Sequence, residues 1–219
     1  AIDYFWFSNN DRIQIDDDFG GEPIKTQLQG TLTTGLTENI TSDGTGRLNT
    51  SSSHVDGIKT SYSSNILGLS AANNATDIFT ITGSASKTIR ITRIRISAIR
   101  TTAGTIDIQI LKRSTANSGG TSSAPTITAH DSQNAAATAT ILAYTANPTT
   151  GTLVGSIRVE KMFINTSTGG IGDDVIFDFG NRPAQAIVLR GTSQVLVINL
   201  NATTVSGNNF NISIEFTEE

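Results

Sequence analysis

The stretch TDIFTITGSASKTIRITRIRISAIRTTAGTIDIQILKR, residues 76–113, carries the clearest strand pattern in the chain. Three runs of alternating apolar and polar residues are separated by two polar turns, at residues 83–86 and 101–104. Side chains two positions apart in a strand share a face, so each run has one apolar and one polar face. The stretch therefore predicts three consecutive β-strands.

The middle run breaks its alternation once. Its isoleucines lie at positions 89 and 91 and then at 94 and 96, which is a shift of one residue. A β-bulge at Thr92–Arg93 absorbs one extra residue, keeps all four isoleucines on the buried face and bends the strand. We therefore predict a bulge at this point.

Strand patterns with turn residues between them continue from residue 138 to residue 217. The last, at 209–217, is the cleanest, with Phe210, Ile212, Ile214 and Phe216 predicted inward. A succession of short strands without intervening helices predicts antiparallel sheets in a sandwich or barrel. The number of strands favours a jelly-roll β-sandwich over residues 56–219, since that fold has about eight strands in two facing sheets.

The composition narrows the functional classes. Of 219 residues, 37% are hydrophobic and 16% charged, and the formal net charge is −4. A negative chain is a poor partner for nucleic acid, so none is expected. There is no cysteine, which excludes disulfides and cysteine-bound metals. No apolar run approaches the ~18 residues of a membrane-spanning helix, and no membrane partner is expected.

Residues 1–55 predict an extended N-terminal arm. Within it, residues 26–53 have widely spaced leucines and isoleucines among Gly, Thr, Ser and Asn, so alone this segment cannot bury enough apolar surface to offset its ordering entropy. The densest aromatic cluster lies near the start of the arm, at Tyr4, Phe5, Trp6 and Phe7. These four side chains form either a short strand closing the core or an anchor in a pocket of another chain.

Charged residues form two local groups. Asp16, Asp17 and Asp18 do not have the spacing of a calcium-binding loop, so a solvated acidic turn is expected. Residues 87–113 carry an excess of Lys and Arg, with Arg90, Arg93 and Arg95 on the polar face of the middle strand. That face either blunts an edge strand or contacts an acidic surface, such as the acidic turn of another copy.

The sequence offers little for catalysis. His130, Asp131 and Ser132 are adjacent, and neighbouring residues cannot adopt the geometry of a hydrolase triad, so we predict a turn. A pair of catalytic carboxylates drawn from Asp107, Glu160 and Asp178 stays open, since sequence does not tell which acids meet in space. We expect no enzymatic activity, no metal and no cofactor.

Four blocks of sequence resemble a known family. They are TDIFTITGSASKTIRITRI, KRSTANSGGTSSAPTITAHDSQNAAATATILAYTANPT, GTLVGSIR and DFGNRPAQAIVLRGTSQVLVINLN, which together span much of residues 55–219. They resemble a domain of tailed-bacteriophage proteins and prophage-derived reading frames, often called virion structural proteins. The resemblance implies a component of the phage particle, assembled in the host cytoplasm. It does not extend to the first 50 residues.

Two functional expectations follow from that resemblance. In the first, the chain is a capsid decoration or cement protein that docks through its N-terminal arm. Its partners are then other copies of itself, expected as a homotrimer, and virion proteins such as the major capsid protein. In the second, it is a head- or tail-fibre module that binds host carbohydrate, for which Tyr144 is the one aromatic side chain of the β-domain predicted to be free.

Overall fold

A computed structural model describes residues 59–166, 173–180 and 186–219 in full, and the backbone of five short strands before residue 50. The chain divides into two units, residues 1–58 and 59–219, which are taken separately below. Every described secondary-structure element is a β-strand, so the chain is all-β, as the sequence predicts. Within the described residues no helix is long and apolar enough to cross a membrane.

The first unit contains two small antiparallel sheets. The strands are β1 (Asp3–Phe7), β2 (Asp11–Ile15), β3 (Leu28–Thr31), β4 (Thr37–Ser42) and β5 (Leu48–Asn49). β1 pairs with β2, and β4 pairs with both β3 and β5. The aromatic residues 4–7 therefore lie in a strand, while the contacts of their side chains, and the acidic residues 16–18, lie outside the described part.

The second unit contains twelve further strands. They are β6 (Thr60–Leu69), β7 (Asp77–Thr82), β8 (Ile89–Arg100), β9 (Gly104–Arg113), β10 (Thr121–Ser123), β11 (Ile127–Ala129), β12 (Thr140–Ala146), β13 (Leu153–Thr166), β14 (Asp174–Asp178), β15 (Ile187–Leu189), β16 (Val195–Asn199) and β17 (Asn209–Glu218). The three strands predicted within residues 76–113 are β7, β8 and β9. The longest of these strands is β13, which has 14 residues.

These strands form one curled mixed sheet. Its order is β10-β12-β7-β16-β9-β13-β8-β17-β6-β11, and β14 and β15 both pair with β8. All neighbours are antiparallel except β13 and β8, which run parallel over Asn165 and Thr166. Phe79 and Ile110 from one half of this order share a single core with Ile94 and Phe210 from the other half. The sheet therefore curls around one hydrophobic core, whose burial stabilises the domain.

The predicted bulge in β8 is confirmed. β17 pairs with Arg93 and next with Ile91, so Thr92 has no opposite residue. The Thr92 carbonyl oxygen instead accepts the Phe179 N–H at 2.8 Å, and its hydroxyl donates to the Glu215 carbonyl oxygen at 3.0 Å. All four isoleucines on either side are fully buried. The extra residue thus keeps them on the core face of one continuous strand.

The sequence predicts β17 but not β6. In β17, Phe210, Ile212, Ile214 and Phe216 are buried, which confirms the predicted inward face. Sequence reasoning missed β6, whose Ser- and Asn-rich sequence TSYSSNILGL lacks a regular apolar alternation. β6 owes its order to β17, with which it pairs from Thr60 to Leu69. Pairing with a strongly apolar neighbour outweighs the weak strand propensity of its own residues.

Candidate functional site

Among the described residues, one buried group of polar side chains is centred on Asp77. Asp77 begins β7 and is fully buried, while Arg113 ends β9 and is 5% exposed. The Arg113 guanidinium donates two parallel hydrogen bonds to the Asp77 carboxylate, at 2.7 Å from Nε and 2.8 Å from Nη2. Asn199 at the end of β16 donates to the same carboxylate at 2.6 Å. The carboxylate thus ties together three adjacent strands.

Two loops complete this Asp77 cluster. Asn117 donates to Asp77 at 2.8 Å and accepts the Gly151 N–H at 2.9 Å, and Arg113 donates through Nη1 to the Gly151 carbonyl oxygen at 2.8 Å. A side chain at Gly151 would overlap the Thr115 carbonyl oxygen, so only glycine fits there. The carboxylate has no exposed surface, and four donors from three side chains saturate it. The cluster is therefore a structural clamp and not a binding site.

Sequence reasoning did not single out these residues. Each member lies in a loop or at the end of a strand, where polar residues are ordinary. One signal was available: Asp77 directly precedes the apolar pair Ile78-Phe79, so its carboxylate starts a strand that is buried on both faces. The blocks that carry the phage resemblance contain Asp77, Arg113, Asn117, Gly151 and Asn199, so they meet in this cluster.

The predicted arginine face lies on the outer surface of β8. Arg90 donates to the Glu219 carboxylate at 2.7 Å from Nε, and Lys59 binds the same carboxylate. Arg95 donates to Asp174 at 2.8 Å, with both side chains about half exposed. Two of the three arginines therefore already have carboxylate partners within the chain.

Arg93 is the exposed arginine between them. Its neighbours across the strands are Glu215 on β17 and Asp178 on β14. The arginines alternate with acids on the flanking strands, so this face has no large excess of positive charge. The interpretation that it blunts an edge strand is wrong, because β8 is paired with β17 on one side and with β14 and β15 on the other.

Glu219 provides a pH-dependent measurement on this face. Hydrogen bonds from Arg90 and then Lys59 lower the pKa of the Glu219 side chain from 4.5 to about 2. A lowered pKa means that the ion pairs stabilise the fold above about pH 4.5 and lose their contribution as pH falls towards 2. We expect Glu219 to titrate near pH 2 by NMR, and Arg90→Gln to move its pKa upward. Titration of Glu219 near 4.5 in the unaltered protein would contradict the pairing.

The residues His130, Asp131 and Ser132 form a turn, as predicted. The Asp131 carboxylate accepts the Gln133 N–H at 2.9 Å, and its carbonyl oxygen accepts the Asn134 N–H at 3.0 Å. All three residues are exposed. The Asp131 side chain thus stabilises the turn in the manner of an Asx-turn and does not orient the histidine.

The three acids considered for catalysis do not form a carboxylate pair in this fold. Asp107 lies beside Lys161 on the next strand, and hydrogen bonds from Lys161 and Asn201 lower the pKa of its carboxyl. Glu160 is opposite Ile108, so it projects from the other face of the same strand pair. Asp178 lies on β14, beside Arg93. Within the described residues no group of three or more His, Asp or Glu side chains could hold a metal ion.

The expectation that Tyr144 is free is wrong. Tyr144 is only 4% exposed, and burial raises the pKa of its phenol. Among the aromatic side chains that the structure describes, Phe163 on β13 is the exposed one, at 41%. The Asp173 carboxylate accepts the backbone N–H of Phe163 at 3.1 Å, so the two residues are neighbours.

The second unit is thus an all-β domain with a curled mixed sheet. It has a buried polar cluster around Asp77, and the arginines on the outer face of β8 are balanced by acids. No protein-family model, no curated protein and no solved structure matches the chain. A functional proposal therefore rests on the residues, the strand order and the resemblance of the four sequence blocks.

Proposed function

We propose that this chain is a non-enzymatic virion structural protein, a capsid decoration protein that docks through its N-terminal arm. The observation that carries the proposal is the strand order of the second unit. It supports a jelly roll, the fold of many viral capsid and lectin domains. Because a fold alone does not define a function, the resemblance to phage virion proteins is needed to choose among the uses of that fold.

The strand order supports a jelly roll in detail. Eight strands fall into two groups of four neighbours, β6-β17-β8-β14 and β7-β16-β9-β13. Along the chain these eight strands change group at every step except from β9 to β13, and the first and last of them, β6 and β17, lie side by side. This order supports two Greek keys wound together, as in a jelly roll. β10 and β12 then extend the second group beyond β7, and β11 extends the first group beyond β6.

The surface supports a structural role. Only 16% of residues are charged, and two arginines of β8, Arg90 and Arg95, form ion pairs with Glu219 and Asp174. Such a surface favours many weak polar contacts, which symmetry multiplies over a particle. We propose other copies of the chain, as a homotrimer, and the major capsid protein as its partners. Most homo-oligomers have closed symmetry, which a trimer satisfies.

The alternative is a head- or tail-fibre module that binds host carbohydrate. Jelly rolls also serve as lectin domains, and the observation that favours this reading is the exposed Phe163, whose backbone N–H donates to the Asp173 carboxylate. An aromatic face next to a carboxylate can stack on a sugar ring and accept its hydroxyl groups. Saturable binding on a glycan array that is lost in Phe163→Ala would favour the fibre module over the decoration protein.

Deleting residues 1–50 tests the docking arm. We expect the truncated chain to keep its β-domain and to occur on purified particles at a copy number lower by about tenfold or more, since buried aromatic anchors contribute roughly 2–4 kcal/mol to an interface. The measurement is the mass-spectrometric ratio of this chain to the major capsid protein. Trp6→Ala should lower the ratio in the same direction. A truncated chain with unchanged melting temperature and unchanged copy number would rule out docking through the arm.

A further inference from the structure

Among the residues that the structure describes, no strand pairs with the second edge of β13 over most of its length. β13 pairs with β9 from Leu153 to Ile164 but meets β8 only at Asn165 and Thr166. Four of the exposed large hydrophobic side chains of the described residues lie on this strand: Leu153, Val154, Val159 and Phe163. An exposed strand edge with apolar side chains is a template for pairing with another strand.

The hydrogen bonds of Phe163 show which backbone groups of β13 point away from β9. Its N–H and carbonyl oxygen both bond to Asp173, on the side away from β9. The register to β9 is regular from Arg158 to Phe163, and backbone groups alternate sides along a strand. The N–H and carbonyl groups of Val159 and Lys161 therefore point outward from the sheet, available to a partner strand.

The side chains around Val159 are complementary to themselves. When two copies of β13 run antiparallel about a twofold axis at Val159, Val159 meets Val159 of the second copy. Arg158 then meets Glu160 of the second copy, and Glu160 meets its Arg158. Both charged residues are exposed, and neither has an ion-pair partner among the described residues of its own chain. The antiparallel register therefore places each Arg158 opposite a Glu160 of the second copy.

The backbone fits the same register. Val159 becomes a hydrogen-bonded pair, in which the two copies exchange both N–H···O=C bonds. Arg158 and Glu160 become non-hydrogen-bonded pairs, where opposite side chains approach most closely and ion pairs are favoured. Val159, which is 60% exposed, becomes partly covered by Val159 of the second copy.

We propose that β13 is a homotypic interface, where a second copy of this chain extends the sheet antiparallel about a twofold axis at Val159. The interface is isologous, because the same patch serves both partners. It does not depend on the proposed virion function, and it is a different contact from a threefold association. In a trimeric protein it would join subunits of different trimers.

A charge exchange tests the interface. Arg158→Glu and Glu160→Arg each place like charges opposite one another at two positions, and each should weaken the twofold association by about tenfold or more. The double variant Arg158→Glu/Glu160→Arg restores both pairs and should restore association. Analytical ultracentrifugation over a concentration series, on the full chain, gives the dissociation constants. Arg190→Glu, a charge reversal at another exposed site, is the matched control and should leave them unchanged.

Val159→Pro tests the backbone hydrogen bonds independently. Proline removes the N–H that points to the partner while leaving the bonds to β9 intact, so association should fall with no loss of folded protein. The proposal is overturned if the wild-type chain forms no twofold species, if either single charge reversal associates as tightly as wild type, or if the double variant fails to recover. Each of those outcomes means that Arg158 and Glu160 only keep the edge of β13 solvated.

Discussion

Asp77→Ala is expected to lower the free energy of unfolding by about 3–5 kcal/mol, because it leaves the buried Arg113 guanidinium without its counter-charge. The side chains of Asn117 and Asn199 also lose the carboxylate that accepts their amide hydrogens. For a domain of this size each kcal/mol corresponds to roughly 2–4 °C in melting temperature. Chemical denaturation of the variant and the wild type measures the difference directly.

Two variants separate the buried charge from other effects of the substitution. Asp174→Ala removes the partner of the exposed Arg95 and should cost no more than about 1 kcal/mol, since exposed ion pairs contribute little. Asp77→Leu combined with Arg113→Met removes both buried charges, and should recover much of the loss. If Asp77→Ala costs no more than Asp174→Ala, the cluster does not hold the strands together.

Deleting Arg95 is expected to abolish folding of the domain, whereas deleting Thr92 is expected to be tolerated. Without Arg95 the strand slips by one residue, so Ser97 replaces Ile96 in the core and Ile99 replaces the smaller Ala98. A polar residue and an oversized one in a close-packed core together cost more than about 5 kcal/mol, the whole stability of many domains.

Deleting Thr92 acts differently because Thr92 is the bulged residue. Ile91 then precedes Arg93, and all four isoleucines of β8 stay in one unbroken alternation. The loss is limited to the two hydrogen bonds of Thr92 and the bend, about 1–3 kcal/mol. Soluble yield and urea denaturation of the two deletions provide the comparison. Equal damage from both would mean that the bulge does not set the register.

The inferred homotypic contact also bears on the proposed role in a particle. A decoration protein assembles through symmetry, and an isologous strand edge is a simple element for linking copies of one chain. The arm and the β13 edge would then have separate tasks, docking to the capsid and joining to a neighbour. Deletion of residues 1–50 tests docking through the arm, and charge exchange tests the β13 contact. If one of these two proposals fails, the other can still be tested.

Much of the fold was readable because strand periodicity is local. The two faces of β7, β8, β9 and β17 follow from residues two positions apart, and even the bulge at Thr92 is visible as a one-residue shift. β6 was not readable, since its serines carry no apolar alternation and its order comes from β17, far along the chain. The burial of Tyr144 and the position of β8 in the sheet interior were likewise decided by packing.

The sequence by itself determined that this chain is all-β. It also determined which side chains within the stretch 76–113 face the core, and where β8 is bulged. Only the tertiary structure decided what the polar residues do. Asp77 meets Arg113 across 36 positions and Asn199 across 122, and the arginines of β8 meet acids on other strands. The physical reason is that side-chain alternation depends on neighbours in the chain, whereas hydrogen bonds and ion pairs depend on distances that only strand pairing creates.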